Sequence, residues 1–180
     1  MRMMASEEDL ARAAAGGDGE AFAALLERRY DSLFGLAFRL TGSRAEAEDL
    51  TQDICAALPG KLAGWRGESR FGTWLYRVAV NAAHDRRRRQ AVLKKASEGW
   101  GDWELARQAE IAESAAQLDW LTWAMRQLPA ELRDTLALVL DDMSHREAGE
   151  VLGISEGTVS WRVSEARKHL RAIRATEAEA

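Results

Sequence analysis

The chain has 180 residues, enough for one ordinary domain or two small ones, with 47% hydrophobic and 30% charged residues and a formal net charge of −4. No apolar run approaches the roughly 20 residues of a membrane span, and the first ten residues, MRMMASEEDL, hold no apolar signal core, so a cytoplasmic protein without membrane insertion is expected. A single cysteine, Cys55, excludes an internal disulfide and a Cys-cluster zinc site; His84, His145 and His169 are scattered without ligand spacing, so neither metal nor other cofactor is expected.

Along the chain the signals are helical, and Val/Ile/Thr-rich alternation is absent, which makes the fold class all-α. Phe22, Leu26, Leu33, Ala37 and Leu40 recur at helical spacing, and Thr41-Gly42 ends that run. Ser43-Arg44-Ala45-Glu46 reads as a capping box, with Ala47, Leu50, Ile54 and Leu58 as the stripe behind it and Pro59-Gly60 as its stop. After a loop with Gly64 and Gly67, a long helix is predicted over about residues 71–90. Charge is segregated here: residues 66–95 hold nine Lys/Arg against two acids, whereas residues 97–119 hold one Arg against six acids. Residues 93–117 have a weak pattern and read as an acidic linker. One helix then ends near Leu128, and Pro129 opens another with Leu132, Leu136 and Val139 as its stripe. Ser144-His145-Arg146-Glu147 is a second capping box, Gly153 marks a turn, and Ser155 caps a last helix carrying Val159, Val163, Ala166 and Leu170.

Three constellations carry chemistry, each beside a plainer alternative. Residues 143–170 form a helix-turn-helix pattern, with Gly149 small where two helices must approach; in such motifs the second helix enters the major groove. An ordinary helical hairpin has the same pattern. In the long basic helix, Leu75, Val78 and Ala82 form the expected core stripe, while Arg77, Asn81, His84 and Arg88 fall on one other face. Cations that reach phosphate flank an amide that can read a base edge. Trp65, Phe71, Trp74 and Tyr76 lie near its start, where they suit either unstacked bases or an aromatic core. Glu48, Asp49 and Gln52 share the polar face of the Ser43-capped helix, which is either solvated or a docking surface.

In order along the chain, these pieces resemble the extracytoplasmic-function group of sigma-70 family RNA polymerase sigma factors. Asp49-Leu50-Thr51-Gln52, Trp65-Arg66-Gly67-Glu68-Ser69 and the stretch Thr73-Trp74-Leu75-Tyr76-Arg77-Val78-Ala79-Val80-Asn81 are similar to sigma region two, as are Gly17-Asp18, Ala21-Phe22 and Tyr30 upstream. Leu128-Pro129 and residues 144–167, with Gly157-Thr158-Val159, are similar to region four. The resemblance implies two small helical domains joined by a linker: a four-helix region two over residues 1–92, an acidic linker over 93–117, and a helix-turn-helix region four over 118–180.

It also implies roles. Glu48, Asp49 and Gln52 would dock core RNA polymerase. Trp65, Arg77, Asn81, His84 and Arg88 would meet the minus-10 promoter DNA, with Trp65 and Asn81 around a flipped base. Ser155, Thr158, Ser160, Trp161, Arg162 and Ser164 would read the minus-35 element. An anti-sigma factor would hold the protein inactive until a stress signal. The chain departs from the family's habit in Trp65, Cys55, Ser160, Trp161 and Glu165; the loss of cations at the first and last of the region-four trio weakens the expected grip on phosphate. A sigma-like decoy that sequesters an anti-sigma factor is the alternative. No acid/base pair, phosphate loop or metal spacing points to an enzyme.

Overall fold

A computed structural model describes residues 5–97 and 120–178, and every regular element among them is a helix. Side-chain caps set the helix starts. Ser6 accepts the Asp9 N–H at 3.1 Å and opens α1 (Glu7–Ala15), whose acidic first turn complements the helix dipole. The sequence stripe argument misses this helix, although the cap was there to be found. Asp18 accepts two backbone N–H groups and opens α2 (Gly19–Thr41), which Gly42 closes in the left-handed conformation at φ 69°. Ser43 opens α3 (Arg44–Leu62) by accepting the Glu46 N–H.

The expected stop at Pro59 does not occur; α3 runs on for three more residues. A proline inside a helix costs about 3 kcal/mol. Leu58 and Leu62, on either side of it, are both fully buried. Each such burial stabilises by about 1.5–3 kcal/mol, enough to offset the broken hydrogen bond. The long basic helix, α4 (Phe71–Ser97), also extends past the expected end near residue 90. The rest of the expected acidic linker, residues 98–117, lies outside the described residues.

Helices α1–α4 pack around Leu25, Leu33, Leu36, Leu40, Leu50, Ile54, Leu58, Phe71 and Leu75. The second group comprises α5 (Trp120–Arg126), α6 (Ala130–Val139), α7 (His145–Leu152) and α8 (Glu156–Ala178). Helix α6 is buried nearly all round: Leu132, Asp134, Thr135, Leu136, Ala137 and Leu138 are all covered. The reason is that α8 and α7 pack on one side of it and α2 on the other. The Leu132-Leu136-Val139 stripe accounts for part of this burial, and Val139 itself is only half-buried.

The two groups are joined by charge as well as by apolar contact. Asp141, just past α6, accepts from both the Arg39 guanidinium and the Tyr76 hydroxyl. Arg39 also donates to the Ala137 carbonyl at 3.3 Å. Burial, reinforced by the bond to Asp141, pushes the Tyr76 phenol up to about 12, so it stays a donor at any physiological pH. At the opposite edge Arg126 lies over Gly42 and donates to its carbonyl.

In the helix-turn-helix, Ser144 and Glu147 form a complete capping box. Gly153, at φ 68°, turns the chain, and its N–H and that of Ile154 both return to the Gly149 carbonyl. A Cβ at Gly149 would stand 2.7 Å from the Ile154 carbonyl oxygen, which is the close approach expected there.

Two outcomes follow. Gly149→Ala gains up to about 1 kcal/mol of helix propensity but forces the Ile154 backbone apart, an overpacking cost of about 1–3 kcal/mol. Urea titration should show a net loss of stability in the second helical group; a variant as stable as the parent would mean that the turn yields freely. Asp141→Arg should enlarge the radius of gyration measured by X-ray scattering, and adding Arg39→Asp should bring it back toward the parent value. An unchanged radius in the single variant would mean that Asp141 is not needed to hold the joint.

Candidate nucleic-acid and polymerase interfaces

Helix α4 buries Phe71, Leu75, Tyr76, Ala79, Val80 and Ala83. The core stripe therefore runs through Leu75, Ala79 and Ala83, not through Leu75, Val78 and Ala82. Three alanines in five positions carry little periodic signal, which is why the register slips by one residue. Val78 and Ala82 instead flank a groove of about 630 Å³ between α3 and α4, shared with Leu50, Asp53, Ile54 and Asn81.

The opposite face of α4 does collect Arg77, Asn81, His84 and Arg88, but they have different surroundings. Arg88 and Asn81 are exposed, and Arg88 pairs with Asp85, at 2.6 Å. Arg77 donates to the Glu150 carbonyl of α7 at 2.8 Å. His84 lies 2.8 Å from the Asp134 carboxylate, on which Arg87 also converges at 2.7 Å. Asp134 is 2% exposed. A buried carboxylate of this kind persists only if it is paired, and both partners come from the other helical group. Arg87 was not among the sequence candidates; it sits at the margin of the basic face, and only the position of α6 distinguishes it from Arg88.

The aromatics resolve toward the core. Trp65 is 9% exposed and stands edge-on to Phe71 with ring centroids 6.0 Å apart. Its indole Nε1 is buried among groups that do not accept from it. Phe71 is the first residue of α4, and Asn81 lies ten residues further, roughly 15 Å along the axis. Asn81 lines the groove between α3 and α4, whose lining does not include Trp65. Tyr76 belongs to the joint with Asp141, and Trp74 is half-buried against Phe71.

On α3, Glu48, Asp49 and Gln52 all face outward, beside the fully covered Leu50 and Thr51. Arg44 pairs with Glu48 at 3.0 Å, and Arg86 of α4 reaches Asp49 at 3.1 Å and Asp53 at 3.6 Å. Asp53 belongs to this acidic face and was missed; its place four residues after Asp49 was the available signal.

On α8 the outward residues are Ser155, Ser160, Trp161 and Ser164. Ser155 caps the helix through the Thr158 N–H at 3.1 Å, leaving Thr158 half-buried. Ser160 contacts His145 Nδ1 at 2.8 Å, tying the two helices of the motif. Arg162 turns away toward Glu131 of α6, 3.7 Å off, and is mostly covered. The exposed cations Arg167, Lys168 and Arg171, not selected from the sequence, follow on the same helix. Among the described residues no group of His, Cys, Asp and Glu is arranged to hold a metal ion, and no helix is long and apolar enough to cross a membrane.

Comparison with known proteins agrees with this layout. The family model of sigma-70 region 2 matches residues 25–92, and that of sigma-70 region 4 matches residues 118–170. The chain is 30% identical over 172 residues to the ECF RNA polymerase sigma factor SigW of Bacillus subtilis, covering 86% of this chain and 89% of the relative. It is 31% identical over 170 residues to the ECF RNA polymerase sigma factor SigM of Mycobacterium tuberculosis, covering 92% and 83%. Its fold is similar to that of CnrH, solved in complex with the cytosolic domain of CnrY, with a TM-score of 0.67, 28% identity, and 93% and 96% of the two chains covered. Two helical groups in this order, a polar α3 face, a basic α4 and a capped helix-turn-helix, together with these matches, place the chain in the extracytoplasmic-function group of the sigma-70 family of RNA polymerase sigma factors.

Proposed function

We propose that this chain directs bacterial core RNA polymerase to promoters and that an anti-sigma protein holds it in the closed arrangement described above. Its work in this reading is recognition and not catalysis, carried out where the polymerase is. Residues 1–92 act as region two, residues 118–180 as region four, and the acidic residues 93–117 connect them. The exposed face of α3, with Glu48, Asp49, Gln52 and Asp53, docks polymerase. Arg88 and Asn81, then Arg77 and His84 once uncovered, face the minus-10 strand. Trp65 supports this surface from behind through Phe71.

The observation that carries the reading is the outer face of α8. The complete Ser144–Glu147 box, the tight Gly149 contact and the Gly153 turn hold α7 and α8 as a rigid motif. What that motif leaves in solvent along α8 and its cap is Ser155, Glu156, Gly157, Ser160, Trp161 and Ser164, followed by Arg167, Lys168 and Arg171. A recognition helix presents base-reading side chains first and phosphate contacts along its length.

The closed arrangement explains why a partner can silence it. The minus-10 and minus-35 elements lie roughly 25 base pairs, or about 85 Å, apart at 3.4 Å per pair. Helix α7 sits directly on Arg77, and α8 is only about 35 Å long at 23 residues. Both elements cannot be engaged until the two groups part. A protein that clasps them together inhibits. The complex of the related CnrH with CnrY supports assigning such a partner to this chain as well.

Core polymerase supplemented with this chain should start RNA at defined promoters in vitro; a decoy would leave the polymerase unspecific. Asp49→Lys should keep the fold, because an exposed pair contributes at most about 1 kcal/mol, yet should weaken binding to core at least tenfold in a pull-down titration. Undiminished binding would clear α3 of the docking role. The α4 face should divide. Arg88→Ala should lower binding to all promoters alike and flatten the salt dependence. Asn81→Ala should change the preference at one minus-10 position, as read by initiation from a set of singly substituted promoters.

A further inference from the structure

Helix α8 carries an indole in an unusual place for a soluble protein. Trp161 is 60% exposed, whereas Trp65 is buried and Trp74, Trp120 and Trp123 are at least half covered. It sits six residues past the Ser155 cap, in the second turn, where a recognition helix meets base edges. Its neighbours on the outer face are Gly157, Ser160 and Ser164, all small and exposed. They let the helix seat deeply in a groove and leave the indole as the one bulky projection.

The chemistry of this face narrows what the indole can read. Recognition of guanine most often uses Arg or Lys, bidentate to O6 and N7. Between Ser155 and Ser164 the single cation is Arg162, and its guanidinium is turned to Glu131 and mostly covered. The hydroxyls of Ser155 and Ser160 already have partners in Thr158 and His145. The indole is thus the main free recognition group, an apolar plate with one N–H donor. In the major groove the feature that answers an apolar plate is the 5-methyl group of thymine. Arg167 and Arg171 follow with the positive charge that the flanking phosphates require, while Lys168 is paired with Glu165 at 2.6 Å.

We infer that Trp161 sets sequence preference in the minus-35 element by packing against the 5-methyl of one thymine or of two adjacent thymines. This rests on the proposed promoter-reading function and sharpens it. An exposed indole is also what a protein interface would use, so the test must distinguish a methyl contact from a protein contact.

The test uses the full-length chain bound to core polymerase. Duplexes are first enriched by this holoenzyme from a library randomised across the minus-35 element. Each thymine of the enriched sequence is then replaced, one at a time, by uracil, which removes the methyl and leaves every hydrogen-bonding group in place. The parent holoenzyme should lose about tenfold in affinity at one or two positions and nothing at the others. Trp161→Ala should bind about as the parent binds the uracil duplex and be indifferent to the replacement. Trp161→Phe should retain much of the methyl sensitivity. Circular dichroism should find both variants folded, as expected for a residue so exposed.

A parent enzyme that selects a minus-35 sequence yet ignores every thymine-to-uracil change overturns the inference and leaves the function intact. Loss of core binding or anti-sigma binding in Trp161→Ala, with methyl sensitivity retained, overturns it in favour of a protein contact. Failure of the parent to select any promoter removes the function and the inference together.

Discussion

Asp134 is the contact on which the arrangement of the two halves depends. A carboxylate that is 2% exposed would be costly to hold ionised without partners, and removing one member of such a cluster typically costs 3–5 kcal/mol. Its partners, Arg87 and His84, belong to α4 and not to its own helical group. The second group therefore cannot satisfy this residue alone. Once Asp134 is fixed against α4, α6 lies along α2, Asp141 meets Arg39 and Tyr76, and α7 comes down over Arg77.

The same partners make the joint exchangeable. Arg77, His84 and Arg87 are cations or potential cations, and phosphate would satisfy them as well as the carboxylate and carbonyl groups that now do. Region four thus covers the basic face of region two with groups of the sign and hydrogen-bonding character that DNA presents. In the proposed open state the three would lose these partners and become available to a polyanion. In the arrangement described, Arg77, His84 and Arg87 are paired with groups of the second helical group, whereas Arg88, Arg167 and Arg171 remain exposed, so the net charge of −4 does not describe the local charge of these surfaces.

Legibility from sequence followed the physics of each signal. Caps were read well because they are local: Ser43, Ser144, Ser155, Gly42 and Gly153 all act where the sequence places them. The Ser6 cap had the same chemistry but opened a helix of nine residues, too short for a persuasive stripe. Pro59 was misread because the energy that carries α3 past it comes from Leu58 and Leu62 meeting other helices, which no local rule sees. The α4 stripe slipped because alanines at 79, 82 and 83 are equally compatible with two registers. In the site, outward faces were legible on α3 and α8, where one side is wet. The partners of Arg77, His84 and Arg162 were not, since each lies far along the chain, at Glu150, Asp134 and Glu131.

The division of labour on α8 follows from that last contact. Arg162 is turned toward Glu131 of α6, 3.7 Å off and inside its own group, and is mostly covered. Ser160, on the same helix, contacts His145 of α7 at 2.8 Å. Two residues at positions suited to base reading thus have contacts within the motif itself. Rigidity has a consequence for recognition, because a helix fixed to α6 and α7 cannot roll to present alternative side chains to the groove. Whatever the outer face offers must be read as it stands: small residues, one indole, and cations a turn or more beyond it. Loss of guanidinium contacts to bases weakens discrimination by hydrogen bonding and shifts the weight to shape and apolar fit. A region four built this way, in the function proposed above, would draw its affinity from phosphates and from polymerase held by α3, and would use its outer face chiefly to choose among sites that the rest of the assembly brings within reach.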